Sequence, residues 1–320
     1  MRWTEENLRR LANLLAAGST RFAAFTILKE DWPDLTPDAI NNAIKDIRRD
    51  HPHWLTFQGD DPPDAVGAPP SVPRYDKAWT LEGAAAIFGD IHAPLTDWSF
   101  FAEACNTARQ FGVSQLIVAG DLFDFALLSN YEAVVPYATH DAECEAAEYA
   151  IDMASRAFDK IWVFGGNHDE RLLKRLNGRL SEQKAVETFL AWIRGNRGGK
   201  VEWSSYTYCT LRTPAGPWLI CHPNMYRAAR GATAAEIALL EHMHTVTLHE
   251  HHLGKVVDKS GRYVAVASGM MADPAKIAYT ARYKNARPRM VKGYTIIDEG
   301  GVAHVYGGPV GFSMPGERDA

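Results

Sequence analysis

The chain is poor in the features that mark several common classes of protein. Its four cysteines, Cys105, Cys144, Cys209 and Cys221, are scattered, and no two form a Cys-x-x-Cys pair. That spacing argues against a zinc ribbon and against a disulfide framework, and reduced thiols in a cytoplasmic protein are the expectation. No apolar run reaches the ~18 residues of a membrane span, and Trp3-Thr4-Glu5-Glu6 is polar where a signal segment would not be. No Gly-rich phosphate loop of the P-loop type is present. The formal net charge of -5 argues against a protein that coats polyanions over its whole surface. What remains is ordinary for a globular chain: 320 residues, 46% hydrophobic and 23% charged. That length can bury a full core and leave room for a small second domain.

Residues 1–55 read as a three-helix domain. Thr4 is an N-cap with Glu5 and Glu6 in the first turn, and Leu8, Leu11, Leu14 and Leu15 share a face until Gly18. A second helix opens near Ser19 and is expected to bury Phe22, Phe25, Ile27 and Leu28 before Trp32-Pro33. A third has Thr36 as cap and Pro37 at its first position, then Ile40, Ile44 and Ile47 at helical spacing. The tight connection between the second and third helices is helix-turn-helix-like. Trp3-Thr4-Glu5-Glu6, and Thr36-Pro37 opening a helix that ends in Arg48-Arg49, resemble a Myb/SANT-type module. The resemblance implies that Asn41, Asn42, Lys45, Arg48 and Arg49 face a DNA groove or its phosphates. Basic and acidic residues balance over this segment, so a solvated helix face or a protein-docking bundle is the alternative.

Residues 56–80 form a Pro-rich linker, with Asp60-Asp61-Pro62-Pro63, Pro69-Pro70 and Pro73; proline this dense favours an extended tether. A large domain over 81–310 and a tail over 311–320 follow.

Within the large domain one event recurs: a short apolar run ends and polar ligand-type side chains follow at once. Ala84–Phe88 runs into Gly89-Asp90-Ile91-His92, and Gln115–Ala119 into Gly120-Asp121-Leu122-Phe123-Asp124. Ile161–Phe164 runs into Gly165-Gly166-Asn167-His168-Asp169. Trp218–Cys221 stops at His222, and Val246–Leu248 at His249-Glu250-His251-His252. Such runs are buried strands, and ligand sites form beyond the carboxyl ends of strands in sheets fed by crossover helices. Helical segments are expected over Asp97–Phe111 and Ala146–Phe158, and further strands at Tyr206–Leu211, Tyr263–Ala267 and Tyr294–Ile297. The fold class is therefore α/β, two packed mixed β-sheets flanked by helices, preceded by the small three-helix bundle.

Carboxylate oxygen and imidazole nitrogen suit divalent first-row cations, and two such ions side by side need a bridging carboxylate. Asp90 and His92 can point to one ion and Asp121 is placed to bridge. Asn167 adds a neutral oxygen, and His222, His249 and His251 add imidazoles.

These blocks stand in the order Asp-x-His, Gly-Asp-x-x-Asp, Gly-Asn-His-Asp, an isolated His, and His-x-His, over residues 84 to about 255. In this the chain resembles the calcineurin-like metallophosphoesterase superfamily. The resemblance implies a four-layer sandwich and two divalent metal ions, manganese first, with iron, zinc or nickel as alternatives. One ion would be held by Asp90, His92, Asp121 and His251, the other by Asp121, Asn167, His222 and His249. It makes His168 the residue facing the leaving group and Asp124 the carboxylate that orients it. Leu248 stands where the family has Gly before the last His-x-His, and Pro223 follows His222 where Gly is commoner. Leu248 is then expected in ordinary strand conformation, or the second ion is held less tightly.

Two ions about 3.5–4 Å apart hold a bridging hydroxide at neutral pH and clamp phosphoryl oxygens. The expected function is hydrolysis of phosphodiesters by that hydroxide, on nucleic acid or nucleotides, in an arrangement resembling phage-associated phosphoesterases. A phosphomonoesterase on nucleotides or phosphoproteins is one alternative. A nucleic-acid-binding or scaffolding protein with an inactive metal site is another. Arg171, with Lys174, Arg175 and Arg179, follows the Asn-His-Asp block and is a candidate for substrate binding. Lys276, Arg282, Lys284, Arg287, Arg289 and Lys292, interleaved with Tyr279 and Tyr283, suit a DNA or RNA backbone. No membrane partner is expected, and oligomeric state is not legible.

Overall fold

A computed structural model describes residues 3–55, 77–129, 139–176, 182–194, 200–277 and 290–307. Most of the expected linker, the tail, and Arg179, Tyr279, Arg282, Tyr283, Lys284, Arg287 and Arg289 lie outside the described residues. The chain divides into two compact units, Met1–Arg74 and Tyr75–Ala320.

The first unit holds helices α1 (Glu5–Ala16), α2 (Arg21–Asp31) and α3 (Pro37–Asp50). Thr4, Thr20 and Thr36 cap them, each hydroxyl accepting from the backbone N–H three residues on. Leu11, Ala24, Leu28, Ile40, Ile44 and Ile47 form the core. Helix α2 opens near Ser19 as expected, with Thr20 as its cap, but one expectation for it fails: Phe22 and Ile27 are 78% and 40% exposed. At 100° per residue, Phe22 lies well away from the face that Ala24 and Leu28 turn inward.

The second unit is built on two mixed six-stranded sheets. The first uses β2 (Ala85–Phe88), β3 (Gln115–Ala119), β4 (Lys160–Phe164), β5 (Val201–Ser204), β11 (Gly293–Ile297) and β12 (Ala303–Gly307), in the order β12-β11-β2-β3-β4-β5. The second uses β1 (Thr80–Glu82), β6 (Tyr208–Thr213), β7 (Gly216–Cys221), β8 (His244–Thr247), β9 (Leu253–Val257) and β10 (Val264–Ser268), in the order β1-β6-β7-β8-β10-β9. Alternation along buried strands sorts side chains into two cores. Phe88, Leu116, Val118, Ile161 and Val163 face helices α4 (Trp98–Gln110), α5 (His140–Ser155), the short α6 (Arg171–Leu176) and α7 (Glu182–Arg194). Ile87, Ile117, Ala119 and Phe164 face the other sheet, where they meet Leu211, Trp218, Ile220, Val246 and Val266. On the far side of the second sheet, α8 (Ala232–Glu241) packs Ala234 and Ala238 against Ala265. The layers are helices, sheet, sheet, helix. Helix α5 starts six residues before the expected Ala146, at the Thr139 cap, and its Tyr149 is exposed.

Strands β2, β3 and β4 run parallel, as do β7, β8 and β10. Each set therefore delivers its carboxyl ends to one edge, where the polar blocks begin.

Candidate metal centre

The backbone turns sharply past the ends of β2, β3 and β8. Among the described residues, Asp90, His92, Asp121, His249 and His251 all have φ between 46° and 80°. Non-glycine residues rarely adopt the left-handed region, and each such position costs on the order of 1 kcal/mol or more. Gly120 (φ 83°) and Gly166 make the close approaches: a Cβ at Gly120 would strike the His222 ring, and one at Gly166 would strike Asp121.

Leu248 takes no left-handed conformation, as expected, and it is 2% exposed within the core between the sheets. Its side chain fills space left by Gly89, where an added Cβ would lie 2.8 Å from Leu248 Cγ and from the Ala119 carbonyl. The left-handed turns in this segment fall at His249 and His251.

Three groups of side chains converge. Asp90, His92 and His251 bring ligand atoms within 4.8 Å of one another, as do Asp121, His222 and His249, and so do His92, Asp124 and His168. His92 Nδ1 lies 2.9 Å from Asp124 Oδ1, which fixes the proton on Nδ1 and leaves Nε2 a lone pair. That Nε2 faces His251 Nε2 at 3.2 Å. His222 Nδ1 donates to the Ala119 carbonyl (3.1 Å), so its Nε2 points a lone pair at Asn167 Oδ1 (3.1 Å) and Asp121 Oδ2 (3.3 Å). Asp90 Oδ1 is buried and accepts no hydrogen bond, with ring nitrogens of His251, His92 and His222 at 3.3, 3.9 and 4.0 Å. Acceptors facing acceptors in a buried pocket need a cation or a proton between them. The donor set of oxygen and imidazole fits a divalent metal at both positions.

The electrostatics agree. Burial alone would lower His222, but the charges of Asp121 and Asp90 outweigh it and raise the ring to about 10, so without a cation it takes up a proton. Burial opposes ionisation of Asp90 and Asp121 too, yet the neighbouring imidazoles hold both below the usual carboxylate range. Burial and the charge on His222 push His249 down to about 4. Asp124 is likewise held low: burial works against it, but hydrogen bonds from His168 and His92 prevail.

His168 stands beside these groups. Its backbone N–H donates to Asp121 Oδ1 (2.8 Å), and its Nδ1 lies 2.9 Å from the Asp124 carbonyl and 3.2 Å from Asp124 Oδ1. Arg171 Nη2 is 2.9 Å from His168 Nε2, and Nη1 donates to the Asp124 carbonyl at 2.7 Å. Guanidinium has no acceptor, so Nε2 is the lone-pair nitrogen here. A proton-donor role for Nε2 requires Arg171 to release it when substrate enters. The remaining described cations of the two basic stretches are engaged elsewhere. Lys174 pairs with Glu170, and Arg175 donates to the Leu128 and Ser129 carbonyls. Lys276 donates to the Thr96 carbonyl, and Lys292 pairs with Asp97.

Three residues here carried no role in the sequence reading. Asp169, 2% exposed, accepts from the backbone N–H groups of Asp121 (2.8 Å), Gly166 (2.8 Å) and Phe123 (3.1 Å), tying the ends of β3 and β4 together. Glu143 on α5, 1% exposed, accepts from Ala126 N–H (3.1 Å) beside the left-handed Phe125. Met290 places its sulfur 3.1 Å from His251 Nδ1. Asp169 belongs to a readable block; Glu143 and Met290 have no sequence signal, because neither lies near a ligand in the chain.

In the first unit, Asn41, Asn42, Lys45, Arg48 and Arg49 do line the exposed face of α3. Arg49 is bridged to Asp50 (2.7 Å) and Asp46 (3.0 Å), which neutralises part of that face.

The family model of the calcineurin-like phosphoesterases matches residues 84–231. The match supports membership of that superfamily. It includes Asp90, His92, Asp121, Asn167 and His222, and stops short of His249 and His251, which the fold brings to the same place. A calcineurin-like phosphoesterase domain supports a hydrolase that uses divalent metal. No curated protein matches the sequence. Among solved structures the chain is similar to Chaetomium thermophilum Vps29, at 11% identity and a TM-score of 0.39, over 70% of this chain and 90% of that one. It is similar to Pseudomonas putida nuclease MPE, at 13% identity and 0.30, over 70% and 86%. It is also similar to phosphopantetheinyl hydrolase from Mycobacterium tuberculosis, at 11% and 0.29, over 65% and 94%. Among the described residues no helix is long and apolar enough to cross a membrane.

Proposed function

We propose that the large unit is a phosphoesterase that uses two divalent cations, manganese first among the candidates, to hydrolyse phosphodiesters of nucleic acid or nucleotides. The observation that supports this reading is Asp121 Oδ2, which lies 3.8 Å from His92 Nε2 and 3.3 Å from His222 Nε2, one nitrogen from each ligand group. A carboxylate oxygen in reach of both groups is what a bridging ligand requires. Asp90, His92, Asp121 and His251 would hold one cation, and Asp121, Asn167, His222 and His249 the other. Bound cations of this kind activate an attacking water and offset charge on the phosphoryl oxygens.

The chain's own residues supply the rest. Arg171, anchored on the Asp124 carbonyl, keeps unused N–H donors for a phosphoryl oxygen. His168, oriented by Asp124, would attend the leaving oxygen once Arg171 turns from Nε2 to the phosphate. The exposed Asn41, Lys45 and Arg48 of α3, with Arg49 held by its acidic neighbours, would add contacts to a nucleic-acid backbone.

The test is a screen of the full chain on bis(p-nitrophenyl) phosphate, p-nitrophenyl phosphate, and plasmid and single-stranded substrates, each with added Mn2+. Diester cleavage and nicking are expected, and Asp121→Ala should abolish both together with tight metal binding. Full turnover by that variant would overturn the assignment. Activity on the monoester alone would point to a phosphomonoesterase, and metal binding without any hydrolysis to a scaffold. Lys45→Glu with Arg48→Glu should weaken DNA binding and leave hydrolysis of the small diester unchanged.

A further inference from the structure

An imidazole that binds a cation through one ring nitrogen must place the other N–H somewhere, and the strength of that outer partner sets how basic the ligand is. His92 uses the Asp124 carboxylate and His222 the Ala119 carbonyl. His251 differs. Its Nδ1 meets the Met290 thioether at 3.1 Å, while its Nε2 faces Asp90 Oδ1 at 3.3 Å. Thioether sulfur is a weak acceptor.

The backbone that follows Met290 is held in place by hydrogen bonds. Val291 N–H donates to the His251 carbonyl (2.9 Å), Met270 N–H to the Val291 carbonyl (3.1 Å), and Gly293 N–H to the Met270 carbonyl (3.0 Å). The side chain packs on an apolar cluster of Leu95, Met270, Ala272 and Ile277. His251 is 4% exposed, so these neighbours keep out the water that would otherwise accept from Nδ1.

Resting on the two-cation reading above, we infer that Met290 is a positioning residue: it turns His251 Nε2 toward Asp90 and sets the affinity of the Asp90/His92/His251 cation position below what an oxygen partner would give. The weak outer bond orients the ring without strengthening it as a ligand. The effect is confined to one of the two positions, because the Asp121/Asn167/His222/His249 group has no thioether partner among the contacts of the described residues.

Calorimetric titration of Mn2+ into the chelator-stripped full chain tests this. Met290→Gln puts an amide oxygen near the sulfur position and should tighten one of two binding steps by about tenfold, the low end of what such outer partners contribute. Met290→Leu keeps shape and apolarity without an acceptor, and should weaken that same step while the other stays unchanged. In the metal-bound wild type, 15N spectra should show His251 carrying its proton on Nδ1. Two Mn2+ bound with identical isotherms in all three proteins, or both steps shifted alike, would overturn the role of Met290 and leave the proposed function standing. A wild type that binds no Mn2+ would overturn both.

Discussion

Replacing Asp169 by alanine would orphan three buried N–H groups at once, those of Asp121, Gly166 and Phe123. An unsatisfied buried donor costs about 1–3 kcal/mol, and partial entry of water lowers the total, so a loss of about 3–6 kcal/mol is expected. That is a large share of the ~5–15 kcal/mol by which domains are stable. Asp169→Asn is the informative companion. Its oxygen can still accept from Asp121 and Gly166, while its NH2 faces the Phe123 donor, so the loss should be about 1–3 kcal/mol. The pH dependence has a definite sign. Burial and the charge on Asp121 raise the Asp169 pKa, so the folded protein holds that proton more tightly than the unfolded chain does. Stability therefore falls as pH rises above the unfolded value, and the asparagine, which cannot ionise, escapes that fall. The gap between wild type and Asp169→Asn should be smaller at pH 8 than at pH 5. Urea unfolding of the metal-stripped protein at both pH values measures each quantity. A loss under about 1 kcal/mol for the alanine variant, or equal losses for the two variants, would refute the claim that Asp169 locks these strand ends.

Three further outcomes follow from the same geometry. Burial pushes Glu143 from 4.5 up to about 7, with the charge on Asp124 adding to it, so its contribution to stability falls as pH rises through that interval; Glu143→Gln should melt higher than wild type at pH 8 by more than at pH 5, and parallel pH profiles would rule this out. His168→Ala should leave Mn2+ affinity nearly intact and slow hydrolysis most for esters with poor leaving groups; equal slowing on good and poor leaving groups would exclude a role at the leaving oxygen. Leu248→Gly should lose about 3–5 kcal/mol in urea unfolding, as deleting a buried leucine does, without tighter metal binding; a gain in affinity would mean that leucine had impaired the site after all.

The metal-type residues were readable because each follows a short apolar run, and strand ends in such sheets are where ligands gather. Asp90, Asp121, Asn167, His222 and the two histidines of His249-Glu250-His251 could be named from that pattern alone, and the apolar alternation named the strands that carry them. Helix caps at Thr4 and Thr36 were equally local, hence equally legible. Phe22 was misjudged because hydrophobicity does not say which side of α2 faces its neighbours; Ala24 and Leu28 took that side. What only the tertiary structure decided is how the groups share protons and partners. Asp169 grips two amides beyond the end of β3, Glu143 reaches a loop from the first turn of α5, and Met290 stands behind His251. Gly89 makes room for Leu248 in the same way. Most of these pairings join segments that are not neighbours in the chain, so the chemistry that selects them, an unpaired buried donor or a volume to be filled, comes into being only once the strands, loops and helices have packed together.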